Sequence, residues 1–142
     1  MISKTRIIGL AFLTLTAWYV GVWATFLPQS FYDSFPGFHR IWVGVDGPFN
    51  EHLIRDVGSL YLALAVAGVL VLVWRTYRES ALVAAAWVTF SIPHFWYHVN
   101  HLHVYDTVDK VANVIALGGT VLIALALLIP PRGRGATSTT AR

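Results

Sequence analysis

Four of the six histidines in this 142-residue chain fall between Pro93 and His103, as His94, His98, His101 and His103. At about 100° per helical residue, His94, His98 and His101 lie within roughly 60° of one another, so a helix here carries an imidazole stripe. Imidazole nitrogen coordinates zinc, copper, iron or manganese and carries protons near neutral pH. A row of such groups at the end of an apolar segment is costly to bury unless something pairs with it or binds it.

Other chemistry-bearing residues flank the stripe. Tyr97 and Asn100 stand beside it. Asp106, Asp109 and Asn113 fall within roughly 60° of one another on a following helix. Upstream, Glu51 and Arg55 are four residues apart, as are His52 and Asp56, so each pair can meet along one helix. If these faces converge, imidazoles face carboxylates, and three readings follow.

In the first, His94, His98 and His101 are metal ligands, joined by His52 or Glu51. Asp106 and Asp109 then complete the shell or orient the rings. Zn, Cu and Fe are the candidate metals, and one haem near this end is an alternative because histidines from two helices can supply both axial ligands. The Glu-x-x-His pair of helix-bundle di-metal sites is absent, since Glu51 and His52 are adjacent.

The second reading needs no metal. Glu51, His52, Arg55 and Asp56 act as acid/base groups, with Tyr97 and Asn113 contacting a lipophilic substrate such as a quinone or sterol. In the third, Asp106 and Asn50 are helix caps, Glu51 with Arg55 is a surface pair, and the histidines sit at a wet interface. The protein is then an accessory or anchor subunit of a membrane complex. In the first reading Arg55 and Asp56 also form a buried pair that fixes the second helix.

Composition sets the scaffold. The chain is 56% hydrophobic and 12% charged, with a mean hydropathy of +0.62, about half the charge of a soluble domain. The absence of cysteine excludes disulfides, thiolate metal sites and cysteine nucleophiles. A net charge of +3 does not indicate nucleic acid, because the cations fall where a bilayer would place them.

Four spanning helices are expected, at about residues 7–27, 51–74, 80–102 and 107–129, each near the ~20 residues a hydrocarbon core requires. The basic start and Val22-Trp23-Ala24 also fit a cleaved signal, but the apolar run is long for one, and a retained first helix is the preferred reading. Asn50, Ser80 and Asp106 are the expected N-caps, with Asp109 three residues after Asp106 as in a capping box. Pro93 predicts a kink near Ile92, and Gly118-Gly119 a close approach to a neighbouring helix.

Residues 28–49 are rich in aromatics and turn formers. They read as an extracytoplasmic loop that is either a lid or an aromatic anchor in the headgroups. Residues 1–131 form one domain, and 132–142 a disordered cytoplasmic tail. Lys4, Arg6, Arg75, Arg78, Arg132, Arg134 and Arg142 flank one side, against Arg40, Arg55 and Lys110 on the other. The positive-inside rule then places both termini in the cytoplasm of a multi-pass cell-membrane protein, with the polar site on the far side. Membrane lipids are the expected surroundings, with self-association or a place in a larger complex as further options.

The stretch Asn50-Glu51-His52-Leu53-Ile54-Arg55-Asp56-Val57-Gly58, followed by Tyr61-Leu62-Ala63-Leu64-Ala65, resembles the small bacterial DoxX-like membrane proteins in size and layout. The resemblance implies a four-helix bundle and, in some members, association with membrane oxidoreductases acting on quinones or sulfur compounds. It assigns no catalytic residue, and the histidine stretch is not part of it.

Overall fold

The computed structural model describes residues 2–131, so the predicted tail at 132–142 lies outside the described residues. Helix α1 (Lys4–Phe26) leads into a short α2 (Pro28–Ser34) and a two-stranded hairpin, β1 (Pro36–Gly37) with β2 (Arg40–Ile41). Three further long helices follow: α3 (Glu51–Trp74), α4 (Tyr77–Asn100) and, after a 3-10 turn at Leu102–Val104, α5 (Thr107–Leu128). Among the described residues, α1, α3 and α5 are long and apolar enough to cross a membrane. Their outward faces carry exposed Ile8, Leu15, Val73, Ile115 and Leu122, more apolar surface than a water-facing bundle usually shows.

Local chemistry sets the helix starts. Asn50 accepts a hydrogen bond from the Leu53 amide at 3.1 Å and Asp106 one from the Asp109 amide at 2.8 Å, so each satisfies a donor that the first helical turn leaves unpaired. Ser80 does not cap α4. The helix begins a turn earlier, after Thr76, and Ser80 is buried inside it, because Tyr77-Arg78-Glu79 forms an amphipathic first turn ahead of the apolar run. Helix α4 continues through Pro93 to Asn100.

The four long helices pack as two pairs, α1 against α3 and α4 against α5. Close approach in the first pair depends on glycine. A Cβ on Gly58 would lie 2.6 Å from the Thr25 amide nitrogen, and one on Gly68 would collide with the Thr14 hydroxyl. Gly118 and Gly119 do not play the expected role. The nearest neighbour of a Cβ at Gly118 is the Phe95 ring at 3.5 Å, and Gly119 has nothing within 4 Å.

At the end where α1 begins and α5 finishes, Tyr77 donates to the Leu128 carbonyl at 2.8 Å. Arg6 donates to the Leu127 carbonyl at 2.7 Å and also to Ile129, so it caps the last turn of α5. The opposite end is closed by residues 28–49, which contain the helix α2 where an irregular loop was expected. The hairpin turns at Phe38 and His39, both with positive φ, as a two-residue turn matched to strand twist requires. That turn places Arg40 and Trp42 against the start of α5.

Candidate functional site

Between the two helix pairs, under the segment 28–49, lies a cavity of about 480 Å³. Its position follows from the buried face of α4. Ser80, Ala84, Trp87 and Ser91 are buried, at alternating spacings of four and three, and the next two positions in that rhythm are His94 and His98. Trp87, Ser91, His94 and His98 all line the cavity. Most of the remaining wall is apolar, including Phe12 and Val20 from α1, Ile54 and Val57 from α3, and Leu117 from α5. Phe31, Phe35, Trp42 and Val43 from the covering segment close it. That placement makes residues 28–49 a lid over the cavity.

Polar groups gather at the lid end. Asn113 is 2% exposed and Ser91 4% exposed, both line the cavity, and neither Asn113 Oδ1 nor Ser91 Oγ has a hydrogen-bond partner. A buried polar atom without a partner costs about 1–3 kcal/mol, and both oxygens sit fully buried within the chamber wall. His94 stacks on Phe90 with ring centroids 5.1 Å apart and meets His98 edge-on at 4.7 Å. Tyr97, Tyr61 and Asp46 complete this part of the lining.

A hydrogen-bond network fastens the lid. Tyr105 donates to the Trp42 carbonyl at 3.0 Å and lies 3.4 Å from His98 Nδ1. The Trp42 indole donates to Asp109 Oδ1 at 3.0 Å. Arg40 bridges the two aspartates, 3.0 Å from Asp106 and 3.5 Å from Asp109. Burial, and then the nearby Asp46 carboxylate, push the Tyr105 phenol well above its ordinary value, so it remains a neutral hydroxyl.

The predicted metal set does not assemble. Asp106 and Asp109, expected beside the imidazoles, are engaged by Arg40, Trp42 and the α5 N-terminus instead. His101 leaves the stripe's cavity side: its ring stacks on Tyr97 at 4.1 Å and its Nδ1 lies 2.8 Å from the Tyr97 carbonyl. Among the described residues no three His, Asp or Glu side chains gather as metal ligands, so neither the metal nor the haem reading gains support from the geometry.

The acid/base candidates at the start of α3 pair along the helix, Arg55 with Glu51 at 2.8 Å and His52 with Asp56 at 3.2 Å. All four are exposed and none lines the cavity. The expected buried Arg55–Asp56 pair is therefore replaced by an exposed Arg55, which also donates to the Thr25 carbonyl and ties α3 to α1. Of the predicted residues, His94, His98, Tyr97 and Asn113 line the cavity. Sequence reasoning missed Ser91, Tyr61 and Asp46. Extending the histidine rhythm backwards along α4 would have found Ser91.

The lid end has a pH dependence that can be worked out. The Asp109 amide holds the Asp106 carboxyl below its ordinary value; desolvation opposes it, and the Arg40 guanidinium adds to the lowering. A carboxylate depressed in the folded state contributes stability that is fully present above its unfolded pKa of about 3.9 and is lost as pH falls through the lower folded value. Acid titration of stability is therefore expected to show a loss below about pH 4 that is shallower in Asp106→Asn, where an amide still caps the helix. Identical acid limbs in the two proteins would remove Asp106 from the account.

Comparison with known proteins returns no matching family model, no matching curated protein and no matching solved structure.

Proposed function

We propose that this chain is a four-span membrane protein that holds a lipophilic small molecule between its two helix pairs, the ligand's polar end facing Ser91, His94, His98 and Asn113. The observation that carries this reading is the chamber itself. It is apolar along most of its wall, with Ser91, His94, His98, Tyr97 and Asn113 among its few polar lining residues. Pockets of this size and makeup suit ligands with a large apolar body and a few oriented polar atoms. Quinone-like and sterol-like molecules have that form, and both reside in membranes.

Helix α4 is the fourth span in this reading. Its 24 residues match α3 in length, and its polar residues Ser91, His94 and His98 line the cavity, where an intramembrane polar group is tolerated. Lys4, Arg6, Arg75 and Arg78 share the end opposite the lid, which supports cytoplasmic termini. The DoxX-like layout agrees with the same picture. Because the chain has no cysteine, single cysteines at Ser30 and Arg78 report sidedness directly. An impermeant thiol reagent added to intact cells is expected to label the first and not the second; the reverse pattern would invert the topology.

The function itself is tested by extraction. Protein purified in mild detergent should carry a neutral lipophile near one per chain, detected by mass spectrometry of the organic extract. It should be depleted in Ala116→Trp, which fills the chamber from α5. An extract containing only bulk phospholipid, in the same amount from both proteins, would sink the proposal.

A further inference from the structure

The donors and acceptors around the chamber restrict the ligand further, an inference that rests on the binding reading above. Among the described residues no Lys or Arg lines the cavity, and Asp46 is its one acidic lining residue. Arg40, the cation within the lid, is already engaged by Asp106 and Asp109. An anionic headgroup would therefore lose its water, meet a carboxylate and find no counter-charge, so fatty acids and acidic lipids are disfavoured.

Hydrogen-bond accounting narrows the neutral ligands. Tyr105 has one hydroxyl proton, and the Trp42 carbonyl 3.0 Å away takes it. In the 3.4 Å contact with His98 the proton then lies on Nδ1, which donates to the phenol oxygen. A neutral imidazole protonated on Nδ1 has a bare Nε2, an acceptor. Asp46, which lines the wall, is a second acceptor, and the Asn113 amide nitrogen is a donor.

A ligand hydroxyl matches both kinds of group, donating to an acceptor while accepting from the Asn113 amide nitrogen. A carbonyl or ether oxygen answers only the donors and leaves the acceptors dry. We propose that the chamber selects neutral, hydroxyl-bearing lipophiles, the class of alkylphenols, hydroquinones and sterol-type alcohols, over their carbonyl, ether and carboxylate counterparts.

Three probes that share one skeleton test this with the full chain in detergent: 4-nonylphenol, 4-nonylanisole and 4-nonylbenzoate. Binding is read from fluorescence quenching of Trp42 and Trp87, which line the chamber. The phenol is expected to bind about tenfold more tightly than the other two, the consequence of one buried acceptor left unmatched. In His98→Phe, which removes the imidazole acceptor, that advantage should shrink several-fold. Asp46→Ala, in the covering segment, should shrink it as well and serves where the phenylalanine variant does not accumulate.

Saturable binding of phenol and anisole with equal affinity overturns the selectivity and leaves the cavity reading in place. Tightest binding of the benzoate overturns it as well. Saturable binding by none of the three overturns both.

Discussion

Gly58→Val is expected to lower the stability of the folded chain by about 3 kcal/mol, a large share of the 5–15 kcal/mol typical of a domain. The reason is the backbone at the other side of the contact. A Cβ at position 58 meets the Thr25 amide nitrogen at 2.6 Å and the Ala24 Cβ at 2.9 Å. A peptide nitrogen cannot rotate away as a side chain can, so α1 and α3 must separate along their length. Separation shifts Arg55 from the Thr25 carbonyl and moves Val20 and Thr16, which form one wall of the chamber. Loss of lipophile binding should accompany loss of stability.

Gly119→Ala is the control, because a Cβ there has nothing within 4 Å. The gain in helix propensity should leave it as stable as the parent or up to about 1 kcal/mol more so. Denaturant unfolding in detergent, followed by circular dichroism, measures both. A Gly58→Val midpoint equal to that of Gly119→Ala would show that α1 and α3 do not meet as described.

Trp87→Ala is expected to cost about 3 kcal/mol, the lower end for truncating a buried aromatic. Trp87 is 1% exposed and packs edge-on against Tyr61, ring centroids 5.9 Å apart. In a bilayer the alternative surroundings of an apolar side chain are themselves apolar, so the loss is mainly of packing contacts and not of shelter from water. The indole also forms part of the chamber wall, and its removal enlarges the space. The variant should therefore unfold earlier and hold 4-nonylphenol more loosely. Unfolding and the quenching that Trp42, the other chamber tryptophan, still reports provide the two readings, and an unchanged midpoint would mean that Trp87 is not a core residue.

The elements that depend on local chemistry were legible from the residues. Asn50 and Asp106 announce their helices because a short polar side chain before an apolar run can bond only the first-turn amides. Ser80 misled because Thr76 precedes it, and a helix whose first turn is Tyr-Arg-Glu starts before its hydropathy rises. What remained hidden was long-range. The fate of Asp106 and Asp109 is decided by Arg40 and Trp42, more than sixty residues away, and no spacing within α5 encodes that meeting. Gly118-Gly119 carries the local sign of close packing, yet only the neighbour across the contact decides whether a glycine is needed. Gly58 has such a neighbour and Gly119 does not. His94 and His98 illustrate both cases. Their shared face follows from helical period, and the apolar chamber it borders follows from how the two helix pairs are set apart.

Photolabelling of the chain in membranes with an alkylphenol carrying a diazirine on its tail tests the ligand chamber most directly. The predicted result is covalent adducts on Phe12, Phe90 and Leu117 themselves, assigned to the residue by fragmentation, inside the chamber and suppressed by excess 4-nonylphenol. Adducts confined to outward-facing residues such as Ile115 and Leu122, and indifferent to the competitor, would contradict it.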